Sequence, residues 1–465
     1  MDAEVYSESL AYQQVKKRAV SSRSFRVKIP SSNGSNFLPG QTVNIDLPSN
    51  LSAQYYNFNQ LYLQFTLTTG AEVAVLDRNG AYNLIKRLTI QSAGSMLCDI
   101  INYNVLVSAF LDMQASHEWK SSTGNLLAGM YGDALRGESI AATTSRVFCL
   151  PLPLNILAST TPHRLIPAFS LSNLQLRFQL ATAAEAYVSA LGLAYGISNV
   201  ECVCMMTQLS PQAQSEIDKA TNGVYNILCL NYMNAQTSQA AAQSTLTTNL
   251  GFAMSSLERI IVIHRKADAA NGTSTVYSNS RIKNGLSEYS FLINSEQYPA
   301  RPINVIAQGS EVWAETLISD HRLMDFNRGC GVNVGLAAVG AAAAGNVGVG
   351  VSDLTGSAPN IAKTLSYSLS NADATGASAG AAGVGVAATA SNVGTFIASC
   401  DFESGLSDGK SSTIYSGIST IASTVQYKGI YSGEAPVAAQ IDFFACYTVL
   451  LSLDMRGLGI FQMRV

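Results

Sequence analysis

The sequence predicts an all-β protein built from two tandem β-sandwiches, and three observations lead to this prediction. The chain has 465 residues, which is too long for one ordinary hydrophobic core and suits two domains of roughly 200 residues each. Short segments in which apolar and polar residues alternate recur along both halves, as strands with one buried face require. Between the halves, Ser210 and Pro211 open a stretch with the start signals of a short helix, which is a natural connection between two domains.

The composition favours a subunit that associates with copies of itself. Charged residues make up only 13% of the chain, against about 25% in a typical domain. So low a charge content suits a protein that buries much of its surface in contacts with other subunits. The alternative is an extracellular β-protein with few charges. The net charge of -3 excludes a protein held on nucleic acid by an overall basic field.

Cysteine usage and the absence of targeting signals bear on the compartment. The eight cysteines form no CxxC pair, and most lie in apolar, strand-like sequence, so we expect buried free thiols and no disulfide framework. The first ten residues are acidic and polar, and no run of 18 apolar residues occurs. We therefore expect synthesis inside the cell, without secretion and without a membrane span.

Residues 1–38 are predicted to form an N-terminal arm with a local basic bias. Six of the 28 basic residues of the chain lie in it, namely Lys16, Lys17, Arg18, Arg23, Arg26 and Lys28. One interpretation is contact with nucleic acid or an acidic membrane, where each phosphate adds a salt-sensitive increment of binding. The other interpretation is a solvated extension that packs on a neighbouring subunit.

Residues 39–210 are predicted to form the first sandwich. Strands are indicated at residues 43–47, 61–67, 84–90, 96–101, 146–152, 174–180 and 200–207. The apolar residues switch to helical spacing over 103–115, and the Gly-rich, polar residues 116–142 are predicted to be a loop. Roughly eight short strands with one interposed helix suit a jelly roll, in which two antiparallel sheets pack face to face.

Residues 211–223 are predicted to be a linker helix, and residues 224–465 a second jelly roll. Its strands are indicated at residues 225–232, 257–263, 289–293, 425–431, 440–453 and 458–465. A helix is predicted from Ser310 to Ile318. Because Pro299 and Pro302 have no N–H to donate to a sheet ladder, we expect residues 298–302 to leave the sheet.

Residues 331–395 form an insertion of a different kind, rich in glycine and alanine, with only three charged residues. Such a segment can be disordered when free in solution. Its valine, leucine and isoleucine content exceeds that of a simple linker, which favours an ordered insertion that packs against its equivalents in an oligomer.

No catalytic residue, cofactor site or metal site is predicted, so we expect a protein that is not an enzyme. His117, His163, His264 and His321 show no metal-ligand spacing, and the carboxylates show no acid–base pair. His264 follows an apolar strand with Arg265 and Lys266, which predicts a position at the rim of a sheet. Cys202 and Cys204 lie two apart on one strand and are expected on the same core-facing side.

Over most of residues 39–465 the chain resembles double jelly-roll major capsid proteins of the polinton-like virus, adintovirus and virophage type, and two regions carry the motifs of this resemblance. The first is Leu257–Ile303, an apolar strand followed by a second strand and an extended proline-containing segment. The second is the C-terminal region, in which a strand ends in Cys400-Asp401-Phe402-Glu403 and the turn Ser416-Gly417-Ile418-Ser419-Thr420 opens the next strand.

The resemblance implies a major capsid protein of the virion that forms homotrimers of six sandwiches with pseudo-sixfold symmetry and assembles into an icosahedral shell around the genome. It implies strands along the shell normal, the N-terminus near the interior, and the 331–395 insertion outside as a tower loop. The implied partners are neighbouring capsomers, penton or vertex proteins and minor capsid proteins. The arm would meet the genome or an internal membrane, and the outer loops a host receptor.

Two alternatives belong to other functional classes. A viral fibre or adhesin-like β-sandwich that binds carbohydrate or a receptor predicts aromatic residues on exposed loops. The two tryptophans, Trp119 in a polar stretch and Trp313 on a predicted helix, give it little support. A glycoside hydrolase on a jelly roll requires two carboxylates on one concave sheet face.

Overall fold

A computed structural model describes most of the two predicted sandwiches. The described residues are 22–49, 51–77, 79–130, 136–159, 164–187, 194–267, 279, 281–305, 310–323, 336–338, 363–365, 396–403, 417–432, 436–454 and 460–464. Within these ranges, no helix is both long and apolar enough to cross a bilayer.

The first half contains twelve described strands. They are β1 (Ser22–Pro30), β2 (Asn36–Phe37), β3 (Thr42–Asp46), β4 (Gln54–Thr69), β5 (Ala74–Asp77), β6 (Ile85–Ser92), β7 (Ser95–Ile101), β8 (Arg136–Ile140), β9 (Ser145–Pro151), β10 (Ile166–Pro167), β11 (Gln175–Leu180) and β12 (Tyr195–Leu209). The larger sheet has the order β1-β12-β4, with β2 beside β12 and with β9 and β10 along the far edge of β4. The smaller sheet has the order β3-β11-β6-β7, while β5 and β8 form a separate pair.

Alternation along β4 shows how the sequence builds this sandwich. Leu63, Phe65 and Leu67 are buried, while Gln64 and Thr66 between them remain partly exposed on the outer face. The Phe65 ring packs against Phe148 of β9, with ring centroids 5.9 Å apart. The inner faces of the two sheets therefore form one apolar core, as the period-two pattern predicts.

The second half repeats this topology. Its strands are β13 (Val224–Gln239), β14 (Thr245–Asn249), β15 (Leu257–Lys266), β16 (Leu286–Ile293), β17 (Glu296–Asn304), β18 (Leu336–Ala338), β19 (Lys363–Leu365), β20 (Ala398–Asp401), β21 (Val425–Tyr431), β22 (Ala439–Asp454) and β23 (Ile460–Arg464). The larger sheet has the order β13-β22-β15-β20 with β23 beside β22, and the smaller has the order β14-β21-β16-β17. In each half the first long strand lies beside the last long strand, β1 beside β12 and β13 beside β22, and both sandwiches are jelly rolls.

Six α-helices of the described residues connect or flank the strands. They are α1 (Tyr103–Gln114), α2 (His117–Trp119), α3 (Asn125–Ala128), α4 (Ala183–Ala186), α5 (Pro211–Thr221) and α6 (Ser310–Ser319). Helix α1 follows the edge strand β7 of the first small sheet, and α6 follows the edge strand β17 of the second. These two helices therefore occupy equivalent places in the two jelly rolls.

Helix α5 joins the sandwiches where the linker is predicted. The Ser210 hydroxyl accepts a hydrogen bond from the Ala213 N–H at 3.3 Å, and Pro211 occupies the first turn. The side chain of Gln214 contacts the Tyr55 hydroxyl at 2.7 Å and the Tyr225 hydroxyl at 3.0 Å. The linker is thus tied to a strand of each sandwich.

The predicted arm of residues 1–38 is too long. From Ser22 to Pro30 the chain forms β1, which pairs with β12 over its whole length. Phe25, Val27 and Ile29 alternate with polar residues and turn towards the core. The basic residues obscured this alternation in the sequence. Charged residues on the exposed face of a strand give the same local composition as a solvated, unstructured tail.

The prediction of a loop over residues 116–142 is wrong. This segment contains α2, a π-helical turn at Lys120–Gly124, α3 and strand β8. A buried ion pair between Lys120 and Asp112 of α1 anchors it. Such a pair forms only when the segment packs against α1 in the fold. A high glycine content alone therefore does not predict a loop here.

The expectation that residues 298–302 leave the sheet is confirmed only in part: residues 299–302 have no partner on β16, but the strand itself runs through the segment. They belong to β17, the edge strand beside β16, where Phe291 pairs with Tyr298 and Tyr289 pairs with Ile303. The register shifts between these two pairs, so the prolines fall in a bulge on an edge strand, where no ladder hydrogen bond is required of them.

The Gly/Ala-rich insertion 331–395 lies almost entirely outside the described residues. Its described parts are β18 and β19, which pair antiparallel with each other.

Candidate functional site

The outer face of the second large sheet is covered by the first sandwich. We call this surface the junction face. It includes Ile261 of β15 and Phe444 and Cys446 of β22, all of which are buried. Helix α1 packs on it through Phe110, whose ring lies edge-on to Tyr232 with centroids 5.7 Å apart.

Asp442 of β22 is the centre of one polar cluster on the junction face. Its carboxylate accepts hydrogen bonds from the Arg265 guanidinium at 2.9 and 2.7 Å. The side-chain amides of Gln236 and Asn102 donate to its other oxygen at 3.0 and 2.9 Å. Because Asn102 lies in the first sandwich, a carboxylate that is completely buried links the two halves.

A second cluster surrounds Asp112 of α1. The carboxylate pairs with both Lys120 and Arg281, and the Arg281 side chain is completely buried. The Arg281 guanidinium also donates to the Ser108 hydroxyl at 3.1 Å. Arg281 belongs to the second half of the chain, so this ion pair again crosses the junction.

A third cluster lies at the end of α1. The Arg259 guanidinium donates to the Asp320 carboxylate at 2.7 Å and to the Ser319 carbonyl at 2.8 Å. It also lies 5.0 Å from the centre of the Phe110 ring, in cation–π contact. The side-chain amide of Gln114 donates to Asp320 at 3.0 Å, so the segment after α6 is held against α1.

Together the three clusters fix the orientation of one sandwich relative to the other. Each ion pair is buried and supplied with further hydrogen bonds, which is the condition under which such pairs are tolerated in a protein interior. Removing one partner would leave an unpaired buried charge, so small displacements of the sandwiches are unfavourable. The junction therefore behaves as a rigid coupling.

A group of carboxylates lies near this junction at the start of β15. Burial and the charge of Glu403 raise the pKa of Glu258 to about 7. Glu403 in turn accepts a hydrogen bond from His321 Nε2 at 3.1 Å, and this bond raises the pKa of His321. In the part of the chain that the structure describes, no group of histidine, cysteine and carboxylate side chains is arranged to hold a metal ion.

The predicted basic residues fall into two groups. Lys16, Lys17 and Arg18 lie outside the described residues. Arg26 and Lys28 lie on the outer side of strand β1, while Arg23 is exposed at the start of the opposite side, with its guanidinium 5.9 Å from the Phe25 ring. Lys28 pairs with Glu201 of β12 at 3.1 Å and donates to Gln64 of β4 at 3.2 Å.

The predicted position of His264 at the rim of a sheet is wrong. Its ring is completely buried, and Nε2 lies 2.9 Å from the Tyr431 hydroxyl of the opposite sheet. Strand β15 continues to Lys266 and stays paired with β22 up to that residue, so His264 faces the core. Burial lowers its pKa to about 3, which keeps the imidazole neutral.

The expectation of buried free thiols is confirmed for the described cysteines. All seven are free, and six of them are buried. Cys202 and Cys204 both face the core of the first sandwich, and burial raises the pKa of Cys204 to about 11. A raised pKa keeps the thiol protonated, and a protonated thiol is a poor nucleophile and a poor metal ligand.

The junction residues were not singled out from the sequence, although a signal for them exists. Arg259 directly precedes the apolar run 260–263, and Asp442 directly precedes the apolar run 443–446, and a charge in such a place needs a buried partner. Which partner it meets depends on how the two sandwiches pack, and that information is not local.

Comparison with known proteins identifies the architecture. No protein-family model matches the chain, and no curated protein sequence matches it. Three solved structures are similar over nearly their whole length. VP54 of PBCV-1, fitted into a reconstruction of the virophage Sputnik, is 10% identical, with 98% of this chain and 99% of that chain covered and a TM-score of 0.59.

The other two are named as capsid proteins. The Faustovirus major capsid protein is 8% identical, with coverage of 95% and 92% and a TM-score of 0.57. The mavirus major capsid protein is 9% identical, with coverage of 100% and 95% and a TM-score of 0.50. The chain therefore has the double jelly-roll fold seen in viral major capsid proteins.

Proposed function

We propose that this protein is a viral major capsid protein whose copies form trimers of six sandwiches and assemble into an icosahedral shell around the genome. The observation that carries the proposal is the similarity in fold over whole chains. The Faustovirus and mavirus capsid proteins are each covered over more than nine-tenths of their length. The two sandwiches thus correspond to nearly all of each of those proteins.

Two properties of this chain support the proposal independently of the comparisons. Only 13% of its residues are charged, so its outer surfaces can be buried against other copies with little loss of charge hydration. The rigid junction gives the two sandwiches one fixed orientation. A fixed angle between repeated units is what a closed ring of sandwiches requires.

The proposed role is mechanical and not enzymatic. Each contact between subunits is modest, and many contacts add up to a stable shell. The adhesin alternative gains no support, because Trp119 and Trp313 are both partly buried against the core and do not form an exposed aromatic platform.

The finer assignments extend the same proposal. The basic segment at Lys16, Lys17 and Arg18 would face the genome or an internal membrane, and the insertion 331–395 would form the tower loop outside. Neighbouring capsomers, vertex proteins and minor capsid proteins would be the partners, with a host receptor at the outer loops. The protein would be made inside the host cell and function in the virion.

The first test is the solution mass of the purified full-length protein, measured by light scattering on a size-exclusion column. We expect three chain masses of 49.2 kDa each, or spontaneous shells, and six-sided outlines in negative-stain images of the same peak. A protein that stays monomeric at high concentration and forms no shells contradicts the proposal.

A further inference from the structure

The outer face of the first large sheet is the counterpart of the junction face, and among the described residues no other element of the chain packs over it. We call it the open face. It consists of the outward residues of four strands: Arg26 and Lys28 of β1, Glu201 and Met205 of β12, Tyr62, Gln64 and Thr66 of β4, and Val147, Cys149 and Pro151 of β9. The strand registers place these residues in rows across the sheet, for example Tyr62 beside Val203 and Pro151.

Topology establishes that the two faces are equivalent. Strands β1, β12, β4 and β9 hold the same places in the first jelly roll as β13, β22, β15 and β20 in the second. On the junction face, Ile261 and Phe444 are 1% and 0% exposed because the first sandwich lies over them. On the open face, Val147 of β9 is 51% exposed and Tyr62, Gln64 and Thr66 of β4 are partly exposed, whereas Val203 of β12 is 1% exposed. In the part of the chain that the structure describes, the large sheet of one jelly roll is thus covered, and most of the equivalent face of the other is accessible.

The surface chemistry of the open face fits burial against protein. Its centre carries neutral side chains, and Lys28 and Glu201 at one side compensate each other in an ion pair of 3.1 Å. A depression of about 420 Å³, lined by residues that include Pro30, Gln64 and Thr66, can receive a protruding element. The remaining charge of this face along the β1 edge is basic and comes from Arg26.

The element that covers the junction face also has a counterpart. Helix α1 covers that face, and α6 is its equivalent in the second jelly roll. Helix α6 buries Val312 and Thr316 and turns Glu311, Ala314, Glu315 and Ile318 outward or partly outward. Glu311 and Glu315 are four residues apart on one helical side, where like charges repel. A basic partner surface would relieve that repulsion.

We propose that the open face is the docking surface for a second copy of this chain and that the docking element is helix α6, with its acidic side towards the basic β1 edge. This inference rests on the proposed function, because it names the surfaces through which the trimer forms. The contact is head-to-tail, joining two different surfaces, so it closes into a ring only when the angle between sandwiches is fixed. The junction fixes that angle.

The first test places a charge in the open face. Val147→Glu introduces a carboxylate at an exposed position, so the fold should be preserved by circular dichroism. It should raise the concentration at which trimers dissociate by at least about tenfold, because the charge must be desolvated in the contact. The matched control is Ile421→Glu, at a residue that is 55% exposed on the second sandwich, which should leave the trimer unchanged.

The second test reverses charges and does not depend on the stability of one variant. Arg26→Glu and Glu311→Arg should each weaken the trimer, and a protein carrying both changes should recover it. If the wild-type protein is a trimer and Val147→Glu and both charge reversals leave its mass unchanged, the inference is overturned while the proposed function stands. A wild-type protein that never leaves the monomer overturns both.

Discussion

At the scale of single residues, the most consequential side chains are the buried charges of the junction. Arg265 and Asp442 are 5% and 0% exposed, whereas Arg87 and Asp99, which form an ion pair on the first small sheet, are 39% and 23% exposed. Desolvation makes the first pair sensitive to the loss of one partner, while solvent compensates such a loss in the second. The two pairs form a natural comparison.

Asp442→Asn should therefore destabilise the protein strongly. The change leaves the Arg265 guanidinium buried without a counter-charge, which costs about 3–5 kcal/mol. The measurement is the free energy of unfolding in urea. Asp99→Asn is the matched control and should cost about 0–1 kcal/mol. Equal losses in the two variants would contradict the assignment of Asp442 as a buried structural charge.

Glu258 makes stability depend on pH. Its pKa is about 7 in the folded protein against an ordinary value of 4.5, so between these values the folded state holds a proton that the unfolded state has released. The free energy of unfolding must then fall as pH rises through this window. The raised pKa of His321 acts in the same direction. Because His321 is present both in the wild type and in a Glu258→Gln variant, it does not affect the difference in stability between them.

Glu258→Gln should remove the contribution of Glu258. Near pH 4.5 the variant and the wild type should have similar stability, and above pH 7 the variant should be more stable by on the order of 3 kcal/mol. Urea unfolding at several pH values measures the difference. The exposed change Glu72→Gln is the control and should give a constant offset. A constant offset for Glu258→Gln as well would show that Glu258 is not protonated in the fold.

At the scale of elements, helix α1 holds the molecule together. It carries or adjoins a member of each polar cluster and places Phe110 against Tyr232 and Arg259. The sequence predicts this helix, since its apolar residues have helical spacing. It does not predict that nearly every side of the helix is buried, because the second covering layer comes from a sandwich more than a hundred residues away.

Phe110→Ala tests the coupling role of α1. The change removes a buried ring and should cost about 3–5 kcal/mol. It should also accelerate amide hydrogen exchange in β13 and β22, on the far side of the junction. Phe148→Ala is the control, since Phe148 is buried within the first sandwich and its loss should leave exchange in β13 and β22 slow. The same exchange pattern in both variants would argue against a special role for α1.

Strand prediction succeeds where one face of a strand meets a core and fails where the chain relies on distant partners. The alternation in β4 and β11 and the capping signals of α5 are local, and the structure follows them. The bulged edge strand β17, the helical segment that Lys120 anchors and the buried His264 depend on contacts with other parts of the fold. The same division holds for the junction, whose charges are visible in the sequence while their pairing is not.

At the scale of the whole molecule, the chain is two copies of one topology with unequal surroundings. The larger sheet of the second jelly roll is covered by α1 of the first, and the equivalent sheet of the first is open. A chain of this kind has one large sheet that is covered by its own other half and one that is open. In a closed ring of such chains, each open sheet would be covered by the neighbouring chain. The low charge and the open face are thus both compatible with the assembly that we propose.

The position of the buried ion pairs has a consequence for how the proposed shell would correct errors of assembly. All of the junction charges are dehydrated when the chain folds, before any subunit meets another. The surface left for association is neutral at its centre and carries its charge at the β1 edge, so a docking event need not strip water from an ion at the centre of the contact. In the proposed shell, subunits that bind in a wrong place would then dissociate and rebind, while the orientation of the two sandwiches within each subunit remains unchanged.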